Sequence, residues 1–108
     1  MPHFAVSGSW DFESEYAKVA KAGAKLELHF YAKDVYLVMD SSQAAQATVT
    51  LLSPNQPNQT EDLNAKGQVT IDQARLYHLV TLNQAQEGTV VIQFDQPDVE
   101  VYSFTFGS

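Results

Sequence analysis

Three histidines, one tryptophan and five tyrosines are the side chains of this chain with the widest chemical repertoire. Nucleophilic catalysis needs a Ser, Thr or Cys beside a base, and a third group that orients the base. There is no G-x-S-x-G turn and there are no cysteines. His3 is close to a terminus, His29 falls on the water-facing side of an alternating run, and His78 shares a face with Leu76, Val80 and Leu82. Each reads as a packed or solvated histidine, so no catalytic residue and no enzymatic activity are expected. Metal chemistry has little support, because no H-x-x-x-H, H-E-x-x-H or EF-hand spacing occurs. Asp34, Asp40, Asp72, Asp95 and Asp98 flank apolar runs, where Asp is favoured for turn chemistry. Their oxygens could assemble a structural calcium site. No other metal and no cofactor is expected.

The aromatic residues suggest a different chemistry. A sugar offers C–H faces to aromatic rings and hydroxyls to carboxylates, carboxamides and guanidinium groups. Trp10, Tyr16 and Tyr31, with Glu15, Asp34 and Arg75, form a candidate ligand-binding set of this kind. Arg75 precedes an apolar run, and is expected either to pair with Asp34 or Asp72 or to anchor a polar ligand. Tyr36, Tyr77 and Tyr102 lie inside the apolar stretches "DVYLVM", "RLYHLV" and "EVYSFTF". Those three are expected mostly buried, with the hydroxyl reaching a partner at a strand end.

These side chains have to be positioned by strands. "AKLELHFYA" at 24–32 alternates Leu26, Leu28 and Phe30 with polar neighbours, the signature of a half-buried strand. Val35–Met39 is apolar on both faces and reads as a central strand or one at a crowded edge. Further strands are expected at 47–52, 68–72, 76–82, 89–94 and 99–106, with "NQAQEG" and "DQPD" as turns. "SPNQPNQTEDLNAKG" reads as a long surface loop, with a short edge pairing near Leu63; its "NQT" is a glycosylation sequon. Residues 11–24 are ambiguous: Phe12, Tyr16, Val19 and Ala20 recur at helical spacing, yet strand-plus-loop fits equally well. The sum is one antiparallel all-β sandwich domain over residues 1–108, with about eight strands.

Charge and composition restrict the partners. A net charge of −7 argues against nucleic acid and anionic membrane surfaces, both of which need clustered Lys and Arg. No apolar run is long enough to span a bilayer, so no membrane insertion by this domain is expected. "MPHFAVSG" reads as strand and turn rather than as a leader, as if the domain were excised from a larger protein.

In order and spacing, "GSWDFESEYAKV", "GAKLELHFYAKDVYLVM", "ATVTLL", "GQVTID", "ARLYHLV", "GTVVIQF" and "VYSFTFG" resemble the C-terminal domain of DipZ-like thioredoxin-family proteins, from Gly8 to Gly107. The resemblance implies a jelly-roll sandwich of carbohydrate-binding-module type in an extracytoplasmic setting, the periplasm or cell envelope. It also implies a thioredoxin-fold domain in the same parent chain, which would carry the redox cysteines. It moves residues 11–24 toward a strand and a loop. The long 53–67 loop departs from the shorter turn that the resemblance implies. The expected role is a non-catalytic accessory module that binds glycan. The competing reading is a module that docks the redox domain on its substrate or partner protein.

Overall fold

The structure is a computed structural model that describes residues 3–108. It has eight strands: β1 (His3–Ser7), β2 (Trp10–Phe12), β3 (Ala17–Val19), β4 (Lys25–Ser41), β5 (Ala45–Ser53), β6 (Gln68–Ile71), β7 (Arg75–Phe94) and β8 (Val99–Gly107). All pairings are antiparallel. No helix occurs among the described residues.

Two unusually long strands organise the fold. β4 and β7 pair from Lys25↔Gln93 to Met39↔Arg75 and belong to both layers of the sandwich. The first half of β4 and the second half of β7 lie in a layer ordered β1-β4-β7-β5-β6. The other halves lie in a layer ordered β2-β3-β8-β4-β7. The pair crosses between layers where the register breaks, between Ala32↔Gln86 and Asp34↔Thr81. Strands that switch sheets at a bulge are one way for a sandwich to turn its corners.

The bulge also changes which residues face inward. Leu26, Leu28, Phe30 and Ala32 are buried before it; Val35, Leu37 and Met39 are buried after it. The break skips Lys33 on β4 and residues 82–85 on β7, and without the resulting one-residue shift of parity the second half of β4 would turn its apolar set to solvent. A second break between Val35↔Val80 and Tyr36↔His78 leaves Leu79 unpaired, so that Leu79 and Val80 are both buried. This places His78 on the outward side, away from the buried Val80 and Leu82 with which simple alternation groups it. It also explains why 35–39 and 76–82 look apolar on both faces: each runs through a register change, 35–39 between β7 and β8 and 76–82 at the β7 edge of the second layer.

Several sequence expectations change here. "NQAQEG" is not a turn but the part of β7 that crosses between layers, with Gln86, Glu87 and Gly88 paired to Ala32, Tyr31 and Phe30. Residues 11–24 form no helix. Phe12 pairs with Ala17 across a short hairpin, closed by the Glu13 amide donating to the Tyr16 carbonyl at 2.8 Å. A helix this short gains little from propagation, whereas β3 pairs with β8 and buries Val19 in the core. Of the three tyrosines expected to be buried, only Tyr77 is. Its hydroxyl donates to the Gln73 carbonyl at 2.7 Å and accepts from the amides of Asp72 and Gln73. Tyr36 is half-buried on the outer face, and Tyr102 is 41% exposed because β8 breaks register between Leu37↔Phe104 and Met39↔Val101.

Gly8 joins β1 to β2 at φ +83°, and a Cβ there would lie 2.8 Å from the Ala24 backbone. Gly23 has φ +92°, but a Cβ there would meet nothing within 4 Å. Gly23→Ala is expected to cost about 1 kcal/mol, the left-handed strain alone. Gly8→Ala should cost roughly 1–3 kcal/mol more, because the clash with backbone adds to the strain. Urea melts of the two variants measure the difference, and equal costs would show that the Gly8–Ala24 approach is not limiting.

Candidate functional site

A mainly apolar opening lies at the margin of the sandwich, between β1 and the β2–β3–β8 edge. It is a cleft of about 330 Å³. Buried Leu26, Leu37 and Val101 line its base; Phe4, Trp10, Tyr16, Tyr102 and Phe104 line its walls; Glu13 and Glu15 add charge. Each wall is held by its strand. The Trp10 indole N–H donates to the Ser7 carbonyl at 2.9 Å, and its ring meets Phe94 edge-on with centroids 5.6 Å apart. That fixes the indole with its polar handle already satisfied. Tyr16 and Tyr102 approach with centroids 5.3 Å apart, and Phe4 and Phe104 at 6.5 Å. Phe12 is 65% exposed and Phe4 58% exposed, so much of the aromatic surface is open to a ligand. The Tyr102 hydroxyl donates to Glu100 Oε1 at 2.7 Å; this bond, aided by desolvation and the nearby carboxylate charges, pushes the phenol up to about 12.

The six candidate residues separate into three places. Trp10, Glu15 and Tyr16 meet in the cleft. Tyr31 stands on a second, more polar groove of about 350 Å³ with His3, His29, Ser53, Glu87 and Thr89. There the His29 ring stacks on His3 at 4.8 Å and bonds to Glu27 and Thr89, each at 3.0 Å.

Asp34 and Arg75 belong to a third cluster, around His78. Asp34 Oδ1 lies 3.0 Å from His78 Nε2, and Glu61 Oε1 lies 2.8 Å from Nδ1. Carboxylates only accept hydrogen bonds, so both ring nitrogens face acceptors. Arg75 pairs with neither Asp34 nor Asp72 but with Asp62 Oδ1 at 2.8 Å, and its guanidinium lies 3.9 Å over the Tyr77 ring. Asp62 Oδ2 also accepts the His78 amide at 2.7 Å. Burial opposes ionisation of Asp34, but bonds from Thr81 and His78 and the charges of Lys33 and His78 outweigh it and hold its carboxyl below the ordinary range. Asp62 is lowered in the same way: desolvation is outweighed by the bonds from Arg75 and the His78 backbone. Glu61 is lowered by its own backbone amide and by His78. Among the described residues, no group of three or more His, Asp or Glu side chains is placed to hold a metal ion.

Phe4, Phe12, Tyr102 and Phe104 are cleft residues that the candidate set did not include. The alternation of Tyr102, Phe104 and Phe106 along the last strand is the signal that could have found two of these positions, Tyr102 and Phe104. The roles of Glu61 and Asp62 could not be read, because they act through a loop with no periodic pattern.

The profile of one known family, described as the thioredoxin like C-terminal domain, matches residues 2–107. This chain belongs to that family. Among curated proteins none matches the sequence. Solved structures show the fold that this thioredoxin-like C-terminal domain shares. A family two carbohydrate esterase from Cellvibrio japonicus is 18% identical with a TM-score of 0.79, over 100% of this chain and 32% of that one. A family two carbohydrate esterase from Clostridium thermocellum, in complex with cellohexaose, is 17% identical with a TM-score of 0.76, over 97% and 31%. A glycoside hydrolase family 43 arabinoxylan arabinofuranohydrolase from Bacillus subtilis, in complex with cellotetraose, is 11% identical with a TM-score of 0.53, over 86% and 21%. The domain thus spans about a third or less of each of these chains. At such identities the likeness is one of fold, the antiparallel β-sandwich.

The Tyr102–Glu100 bond makes the cleft wall spectroscopically addressable. Tyr102 is expected to titrate near pH 12, and Glu100→Gln should return it toward the ordinary phenol value of about 10. Ultraviolet difference titration of wild type, Glu100→Gln and Tyr102→Phe isolates this residue. Identical curves for wild type and Glu100→Gln would show that the bond does not hold in solution.

Proposed function

We propose that this domain is a non-catalytic accessory module that binds carbohydrate in the aromatic cleft. The observation that carries the reading is the convergence of Trp10, Tyr16 and Glu15 with Tyr102 and Phe12 in one open cleft of about 330 Å³. Rings fixed by their own packing present flat faces to pyranose C–H groups without a large ordering cost, and the flanking carboxylates accept hydroxyl hydrogen bonds. The family and the sandwich fold shared with part of two carbohydrate esterases support the reading. The setting is extracytoplasmic, at the periplasm or cell envelope. The parent chain carries a thioredoxin-fold domain of DipZ type, which supplies the redox cysteines that this chain lacks.

A second reading has its own observation. Phe4 and Phe12 are both more than half exposed, and share the cleft with the exposed Tyr102. An apolar rim of this kind also fits a protein surface. Under that reading the cleft seats the neighbouring redox domain or its protein partner, and the module positions one on the other.

Titration calorimetry of the isolated domain against soluble cell-wall and cello-oligosaccharides separates the two readings. Binding is expected, and Tyr16→Ala should weaken it about tenfold, the loss of one aromatic stacking surface. Trp10→Ala should do the same, with Tyr16→Ala the safer variant because Trp10 also packs on Phe94. Tyr31→Ala should leave the affinity unchanged. Loss on Tyr31→Ala with no effect of Tyr16→Ala would move the site to the polar groove. Failure to bind any glycan, with retention of a thioredoxin-fold partner, would favour docking.

A further inference from the structure

The loop between β5 and β6 makes contacts that neither reading uses. It runs antiparallel to the free edge of β7 in an extended path. Every second side chain bonds to the β7 backbone. Gln56 Oε1 accepts the Asn83 amide at 3.0 Å. Asn58 Oδ1 accepts the Thr81 amide at 2.9 Å, and its Nδ2 donates to the Leu79 carbonyl at 2.9 Å. Thr60 Oγ1 donates to the His78 carbonyl at 2.6 Å. Asp62 Oδ2 accepts the His78 amide at 2.7 Å. Residues 56, 58, 60 and 62 are buried or half-buried, while 57, 59 and 61 are exposed. Side chains thus replace the backbone of a missing neighbour strand. The strand they cover, "LYHLVTL", is apolar and rich in β-formers, the kind of edge that otherwise recruits another strand.

One end of this strap is ionic. Asp62 holds the His78 amide and Arg75, and Glu61 holds the His78 ring from outside. The groups facing this end are Lys33, Asp34 and Tyr36 from β4, Arg75, Tyr77 and His78 from β7, and Asp72 from the turn before β7. The other end, Gln56 and Asn58, carries no titratable group.

We propose that residues 56–62 form an acid-released strap over the edge of β7, and that opening it lets a second copy of this chain pair through that edge. Asp34, Glu61 and Asp62 are all held below the ordinary carboxylate range. Their ionic contacts therefore contribute fully above that range and are lost as pH falls through the lowered values. Protonation leaves Lys33, Arg75 and His78 as like charges without anions, and the Asp62 end lets go first. The exposed edge is the same in every copy. Two antiparallel β7 edges can therefore meet about a two-fold axis and close as a dimer rather than a filament.

The test combines amide hydrogen exchange with sedimentation of the intact chain, in steps from about pH 7 down to about pH 2, below the ordinary carboxylate range, with exchange corrected for its intrinsic pH dependence. At neutral pH the amides of His78, Thr81 and Asn83 are expected to be protected and the chain monomeric. In acid these three should exchange at least about tenfold faster, while the central amides of Leu37 and Ile92 stay protected and mass rises toward a dimer with concentration. Asp62→Asn keeps an acceptor for the His78 amide without the charge, and should move the opening to higher pH. Asn58→Ala with Asp62→Ala should open the strap at neutral pH. The proposal is overturned if the three amides stay protected in acid, or if they open only together with Leu37 and Ile92. It is equally overturned if opening brings no concentration-dependent mass, or if Asp62→Asn leaves the transition unmoved.

Discussion

The structure depends on one ladder, the antiparallel pairing of β4 with β7. Both strands serve two layers, so the sandwich needs no separate element to join its sheets. The constraint is geometric: a strand that crosses from one layer to the other must keep its apolar residues pointing inward on both sides of the crossing. Strict alternation cannot do this. The break at Lys33 and residues 82–85, together with the unpaired Leu79, does it, by moving the inward parity from even to odd positions in β4 and by burying two consecutive residues in β7. Deep burial of Leu28, Val35, Leu37, Val80 and Ile92 follows from those two irregularities.

The remaining strands are arranged by what this ladder leaves unpaired. β8 takes the free side of β4 in one layer, and β1 takes it in the other. β5 takes the free side of β7 only in its second half. The first half of β7 would be an open edge of apolar sequence, and the 56–62 segment closes it with side chains. The aromatic cleft arises at the opposite margin, where β1 and the β2–β3 hairpin end their layers without meeting. The cleft and the strap are therefore two solutions to the same problem, the edges of a small sandwich; one edge is left open and lined with rings, and the other is covered.

The parts legible in the sequence were those governed by period two. Leu26, Leu28 and Phe30 announce their strand and their buried face, and the antiparallel all-β class follows from the sum of such runs. Bulges interrupt that code. They make Val35–Met39 and Leu76–Leu82 look two-faced, they put His78 outward, and they bring Tyr102 to the surface. The polar "NQAQEG" reads as a turn because turn and crossing strand share a preference for exposed, small and polar residues. The helical spacing of Phe12, Tyr16 and Val19 was real but without consequence, since the β8 edge offered backbone partners that a lone helix could not match. In the candidate site, Trp10, Glu15 and Tyr16 are near neighbours in sequence and meet in the cleft. Tyr31, Asp34 and Arg75 are each shaped by register and by loop path, which local composition does not encode.

The position of β1 has a mechanical side. Phe4 and Val6 form one wall of the cleft, yet β1 is held to the domain by β4 alone, in the register His3↔His29 to Ser7↔Lys25. A pull on the chain at residue 3 loads these rungs one after another rather than all at once, so the strand peels like a zip instead of resisting in shear. The first side chains to leave would be His3 and then Phe4. Tension reaching the domain from that side would dismantle the cleft wall while the β4–β7 ladder stayed intact, and so the same strand that shapes the cleft also makes it sensitive to force.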